Sequence, residues 1–185
     1  HPRVAGPRAM LAAAALVGCS TTKDDTAGQS SEKLYAAAKD EAANGSYDKA
    51  AKLYERLEGR AAGTLLAQQA QLERAYLLYR TGERAQSLSV LERFVKLHPT
   101  SPAVDYAIYL QGIVNFNDSL GLFASLSRQD LSERDQQASR DSYQAFKQLV
   151  EQYPSSKYAA DAGARMNYIV NSLAAATLYG GPAIV

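Results

Sequence analysis

The chain has 185 residues, 46% hydrophobic and 21% charged, which excludes disorder throughout and fits one soluble domain or a short repeat array. Lys+Arg 20 against Asp+Glu 19 leaves a net charge of +1, so no concentrated basic surface argues for a nucleic acid partner. A single cysteine excludes an internal disulfide and a Cys-rich metal site, and of the two histidines only His98 lies in the body of the chain, where the run Lys96-Leu97-His98-Pro99 reads as a helix end rather than a catalytic base.

The first elements are processing and anchoring signals. Arg3 and Arg8 precede the apolar run Met10 to Val17, which is followed by Gly18 and Cys19. A basic start, a short apolar stretch and a small residue at the cut describe a bacterial secretory signal over residues 1–18. It is too short for a bilayer span, which needs about 20 apolar residues. Leu16-Val17-Gly18-Cys19 resembles the lipobox of bacterial lipoproteins, which implies acylation at Cys19 and a membrane anchor of two or more chains. Ser20 after the cysteine implies release to the outer membrane, facing the periplasm. The chain opens on His1 rather than Met, so a longer precursor is expected. Residues 19–31 then hold the acylated cysteine and a polar tether without a large apolar residue.

From residue 32 to 178 the periodicity is helical, and the expected class is all-α. Ser31 is the expected N-cap of a first helix with Leu34, Tyr35, Ala38 and Ala42 on one face, stopped by Asn44-Gly45. A second carries Tyr47, Ala50, Ala51, Leu53, Tyr54 and Leu57 to Glu58-Gly59. A third runs from Leu65 to Arg80 with Leu72, Ala75, Tyr76 and Tyr79 inward, turning at Thr81-Gly82. A fourth runs from Glu83 to Leu97 with Ala85, Leu88, Leu91, Phe94 and Val95 inward.

Self-comparison turns these helices into an architecture. Gly45 and Gly82 are 37 residues apart in equivalent contexts, and Leu97-His98-Pro99 and Gln152-Tyr153-Pro154 close equivalent helices. The units resemble tetratricopeptide repeats, which implies a superhelix of antiparallel helix hairpins. Repeat one covers about 31–62, repeat two about 65–99, repeat three about 103–154, and a fourth begins at about 158–178, before a divergent tail over 179–185. The third repeat is split by about 18 extra residues near Asp118 to Asp135, resuming at Ser142. An insert of that size is either a functional loop or a segment whose Leu122, Phe123 and Leu126 fold back onto the helices. The last helix lacks the polar outer face of a terminal repeat, so the array is expected to be truncated.

In such a superhelix the first helix of each hairpin lines the concave side. By this mapping the groove residues are Glu32, Tyr35 and Lys39; then Gln69, Leu72, Tyr76, Tyr79 and Arg80; then Tyr106, Tyr109, Ile113, Phe116 and Asn117. Tyrosines of this kind either stack on apolar side chains of an extended ligand while their hydroxyls pair with its backbone, or fill the joints between hairpins. Lys39 and Arg80 are suited to a carboxylate. Asp40, Glu41 and Glu73 read as acids on solvated helix faces with cationic neighbours rather than as a hydrolytic pair.

A narrower resemblance rests on the lipobox cysteine, Tyr35-Ala36-Ala37-Ala38, Gly45 with Tyr47, and Gln68-Gln69-Ala70-Gln71-Leu72. It continues through Phe94 to Pro102, Val104-Asp105-Tyr106-Ala107-Ile108-Tyr109-Leu110-Gln111-Gly112, the insert ending Ser132 to Asp135, and Phe146 to Tyr158. In this order the chain resembles the BamD family, also called YfiO or ComL, over about residues 10 to 173. The resemblance implies a non-catalytic, cofactor-free lipoprotein subunit of the outer-membrane β-barrel assembly machinery. Its implied partners are the central barrel subunit, accessory lipoproteins and unfolded outer-membrane protein precursors held by the first three repeats, with the membrane reached through the lipid anchor and no nucleic acid. Beyond the start of the fourth, repeats four and five, which in the family dock on the barrel subunit, are expected to be missing from this array. A different periplasmic repeat lipoprotein, serving secretin and pilus assembly or envelope constriction, shares the lipobox and the repeats but not the split third unit.

Overall fold

The computed structural model describes residues 28–116 and 133–180, with side chains over 28–116 and 135–174. The signal segment, Cys19, the tether to residue 27, Asn117, the insert through residue 132 with Leu122, Phe123 and Leu126, and the tail over 181–185 lie outside the described residues. Among the described residues the chain is all-α: α1 (Ser31–Ala43), α2 (Tyr47–Arg60), α3 (Leu65–Arg80), α4 (Arg84–Leu97), α5 (Val104–Asn115), α6 (Glu133–Gln152) and α7 (Ala159–Gly180).

Local chemistry sets the boundaries. The N-cap of α1 is Ser30, one residue before the expected Ser31, because its Oγ accepts from the backbone N–H of Lys33 at 3.3 Å. Thr64 caps α3 in the same way, accepting from Ala67 N at 3.2 Å. Gly45 (φ 79°) and Gly82 (φ 86°) reverse the chain in the left-handed region where a Cβ would be strained, joining α1 to α2 and α3 to α4 as tight hairpins. Helix α6 begins at Glu133, nine residues before Ser142. Glu133, Arg134 and Asp135, expected inside the insert, therefore form the first turn of the helix.

Each helix packs on the one that follows it, and α3 also touches α1 and α5. This places α1, α3 and α5 in one layer and α2, α4 and α6 in the other, the arrangement of tetratricopeptide-like hairpins. The interior divides in two. Leu34, Ala38, Ala50, Leu53, Tyr54 and Leu57 meet Ala70 and Leu77 of α3 in one cluster. The larger cluster takes Leu72, Ala75 and Leu78 of α3 with Leu91, Phe94, Ile108, Phe146, Leu149 and Ile169. Each large apolar side chain so buried stabilises the fold by about 1.5–3 kcal/mol relative to exposure.

Packing corrects the expected inward set. Because α3 lies between α2 and α4, Leu77 and Leu78 fill the two cores, and Tyr76 and Tyr79 are only half-buried. On α4, Ser87 and Val90 are buried with Leu91 and Phe94, Leu88 and Val95 are half-buried, and Ala85 is exposed. Ser87 Oγ donates to the carbonyl of Ala75 at 2.7 Å, and Ser142 Oγ donates to that of Gly112 at 2.8 Å. These paired bonds, at the crossing of the two helices in repeats two and three, satisfy a buried hydroxyl where only a small residue fits opposite. Between repeats one and two, Arg74 of α3 donates to both carboxylate oxygens of Glu58, at 2.7 and 3.2 Å, and to Glu55 at 3.2 Å; Arg93 reaches Glu58 at 3.2 Å.

Candidate functional site

Residues 69, 72, 73, 76 and 80 follow the three- and four-residue spacing that gathers side chains on one helix face. On α3 they are Gln69, Leu72, Glu73, Tyr76 and Arg80. Tyr35 and Lys39 flank this face from α1, and Tyr106 from α5. Beside it opens a cleft of about 670 Å³ between α3, the start of α5 and the α6–α7 turn, lined by Gln69, Leu72, Glu73, Asp105, Tyr106 and Tyr158.

The cleft is held by polar contacts as well as rings. Asp105 accepts from the Tyr106 backbone N–H and from Ser156 Oγ, both at 2.7 Å. The Tyr106 and Tyr158 rings lie 5.5 Å apart, Gln69 hydrogen-bonds Tyr35, and Tyr35 packs at 5.7 Å from Tyr54. Leu72, at 7% exposure, is largely core and shows the cleft only an edge. Glu32 is exposed on the first turn of α1.

Glu73 corrects the sequence reading. Rather than standing on a solvated face, it is half-buried within electrostatic reach of Tyr35, Tyr54 and Tyr106. Burial pushes its carboxyl above the usual range, and only the Lys39 charge opposes this. Burial, then the Glu73 charge, pushes the Tyr106 hydroxyl up to about 12 and raises that of Tyr35. Those tyrosines are neutral donors at physiological pH. Of the other two acids, Glu41 conforms to the expectation, paired with Lys49, and Asp40 is exposed.

At the far end of α3, the exposed Arg80 guanidinium donates to the hydroxyls of Tyr76 (3.1 Å) and Tyr47 (3.4 Å) and lies over both rings, at 5.8 and 5.3 Å from their centroids. These tyrosines hold the guanidinium in place while part of its donor fork stays open to solvent. Tyr79 is half-buried 6.5 Å from Tyr76, and Lys39 extends over the Tyr35 ring at 6.0 Å.

The remaining expected groove residues are drawn into the joint with α7. Tyr109 stacks on Tyr158 at 4.7 Å and donates to Asp161 at 2.6 Å, where Arg165 Nε also donates at 2.6 Å. Burial alone would raise the Asp161 carboxyl, yet the bonds from Tyr109 and Arg165 bring it below its ordinary value. Phe116 packs 5.6 Å from Tyr168 and 6.2 Å from Phe146 with Arg165 above its ring at 4.7 Å, and Ile113 packs on the larger core. Sequence reasoning missed Glu73, Tyr47, Tyr158 and Asp161 as neighbours of this surface. The spacing from Gln69 to Glu73 to Tyr76 puts the first on this face but does not show its burial. Of the others, which converge from separate turns, Tyr47 and Tyr158 stood within singled-out motifs and Asp161 did not.

Stacked antiparallel hairpins whose first helices present tyrosines beside a cleft define a helical-repeat protein of the tetratricopeptide-like class. Residues 27–180 match the family described as YfiO, outer membrane lipoprotein. The chain belongs to that family. It is 49% identical over 142 residues to the outer membrane protein assembly factor BamD of Neisseria meningitidis serogroup B, covering 77% of this chain and 53% of that protein. It is 30% identical over 165 residues to the BamD of Vibrio cholerae (89% and 68% covered) and 32% identical over 164 residues to that of Pasteurella multocida (89% and 63%). The chain thus spans about half the length of the Neisseria relatives. No helix among the described residues is long and apolar enough to cross a membrane.

Proposed function

We propose that this protein is an outer-membrane lipoprotein subunit of the β-barrel protein assembly complex, anchored through acylated Cys19 and facing the periplasm. It works by binding rather than by catalysis. The face made by α1, α3 and α5 receives extended segments of unfolded outer-membrane protein precursors, and other assembly subunits are its standing partners. The observation that carries this reading is the half-exposed row Tyr35, Tyr76 and Tyr106 beside an open cleft: rings for apolar side chains, neutral hydroxyls for a peptide backbone. Membership of the YfiO family and relatives named outer membrane protein assembly factors support the setting. Gln69 and Leu72 form the floor, Lys39, Tyr79 and Arg80 the far rim, and Tyr109, Ile113 and Phe116 the edge toward α7.

The test is anisotropy of labelled peptides taken from the C-terminal strands of barrel proteins, titrated with the acylated chain in detergent. Tyr76→Glu and Tyr106→Glu, each placing a charge where a ring should stack, are expected to weaken binding by about tenfold or more. Unchanged affinity in both variants refutes the groove.

A further inference from the structure

Glu73 lies in the cleft without a cation at ion-pair distance among the described residues, Lys39 acting on it only through space. A second carboxylate, Asp105, and the buried, unpartnered Oε1 of Gln68 line the same cleft. Among the described residues the single cation in its lining is Lys157, whose ammonium lies over the Tyr158 ring at 5.0 Å rather than at Glu73. The cleft therefore carries an excess of acceptors, and the rings of Tyr106 and Tyr158 flank them. Acidic oxygens beside tyrosine faces attract a cation twice, by charge and by the ring quadrupole. Lys39 over Tyr35 and Lys157 over Tyr158 show that rings of this surface do hold cations.

We infer that the cleft at Glu73 is a side-chain subsite for one lysine or arginine of the extended segment bound along α3, with Glu73 as the charge partner and Tyr106 and Tyr158 as its walls. This rests on the groove reading above and adds a specificity to it. The subsite also sets a spacing. Glu73 and Arg80 are seven positions apart on α3, about 10.5 Å along the axis at 1.5 Å per residue. That span equals roughly three residues of extended chain at about 3.3 Å each. A segment with its basic residue at Glu73 meets Arg80 about three residues further on, where an acidic side chain suits the open donors.

The experiment uses the full chain and a set of labelled barrel-strand peptides in which one arginine is moved through each interior position, each with a glutamine twin. The expected result is one register in which arginine binds about tenfold more tightly than glutamine. That preference should disappear in Glu73→Gln and fall in Tyr106→Leu, which keeps apolar bulk but removes the ring. Peptides that bind with no arginine preference in any register overturn the subsite and leave the groove standing. A preference that survives Glu73→Gln also overturns it. Failure of every peptide to bind overturns the groove and the subsite together.

Discussion

Gly112→Ala tests the helix crossing in repeat three. A Cβ at Gly112 would fall 2.6 Å from Cδ1 and 2.8 Å from Cζ of Phe146, against an optimum carbon separation of about 3.5–4.0 Å. The ring has little room to yield, since Phe146 is fully buried with Tyr109 and Phe116 centred 6.0 and 6.2 Å away. Overpacking of this kind costs about 1–3 kcal/mol, while exchanging a helical glycine for alanine returns about 0.5–1 kcal/mol. A net loss of about 1–2 kcal/mol is expected, which lowers Tm by about 2–8 °C in a chain of this size. Gly163 in α7 is the control, because a Cβ there meets nothing within 4 Å. Gly163→Ala should therefore raise stability by about 0.5–1 kcal/mol. Thermal and urea unfolding followed by circular dichroism reads both signs. Combining Gly112→Ala with Phe146→Leu should give a loss smaller than the sum of the singles. A Gly112→Ala variant as stable as the parent refutes the reasoning that the Phe146 ring leaves no room for a Cβ here.

Arg74→Ala leaves Glu58, whose side chain is 14% exposed, with only the peripheral Arg93; a loss of about 2–4 kcal/mol is expected in the urea midpoint analysis, and a loss below about 1 kcal/mol would mark the pair as peripheral. Glu73→Gln tests the energetic cost of the groove carboxylate, which faces Tyr35 and Lys39 of α1, Tyr54 of α2 and Tyr106 of α5. Its folded value lies above the unfolded one, so the ionised form destabilises the fold at neutral pH, and this penalty vanishes below the unfolded value of about 4.3. The variant should melt higher than the parent at pH 7 and equally at pH 4; equal melting at pH 7 refutes it.

The hairpin pattern was legible because glycine turns, proline stops and helical periodicity are local signals. Gly45, Gly82 and Pro99 mark boundaries whichever neighbours pack on them. Burial along α3 was less so. A helix flanked by neighbours on two sides is apolar around much of its circumference, so Leu77 and Leu78 could not be ranked against Tyr76 and Tyr79 by period alone. Ser142 marked where the third repeat resumes, but the bonds from Ser87 and Ser142 to the carbonyls of Ala75 and Gly112 cannot be read from a period. At the site, the α3 tyrosines and Arg80 were legible from repeat register. Glu73 was not, since its burial depends on α1, α2 and α5 converging around it, and neither were the ties from Tyr109 to Asp161 and from Phe116 to Tyr168, which link residues 52 positions apart in each case.

Among the described residues, only α3 contributes buried side chains to both interiors. It is the spine of a book whose leading cover is the α1–α2 pair. That cover is fastened to the spine by its own smaller core and by the Glu58 ion cluster, while Phe94, Ile108 and Phe146 hold the remaining pages. Amide protons of α1 and α2, whose shared core is the smaller of the two, should accordingly exchange sooner than those of α4 and α5.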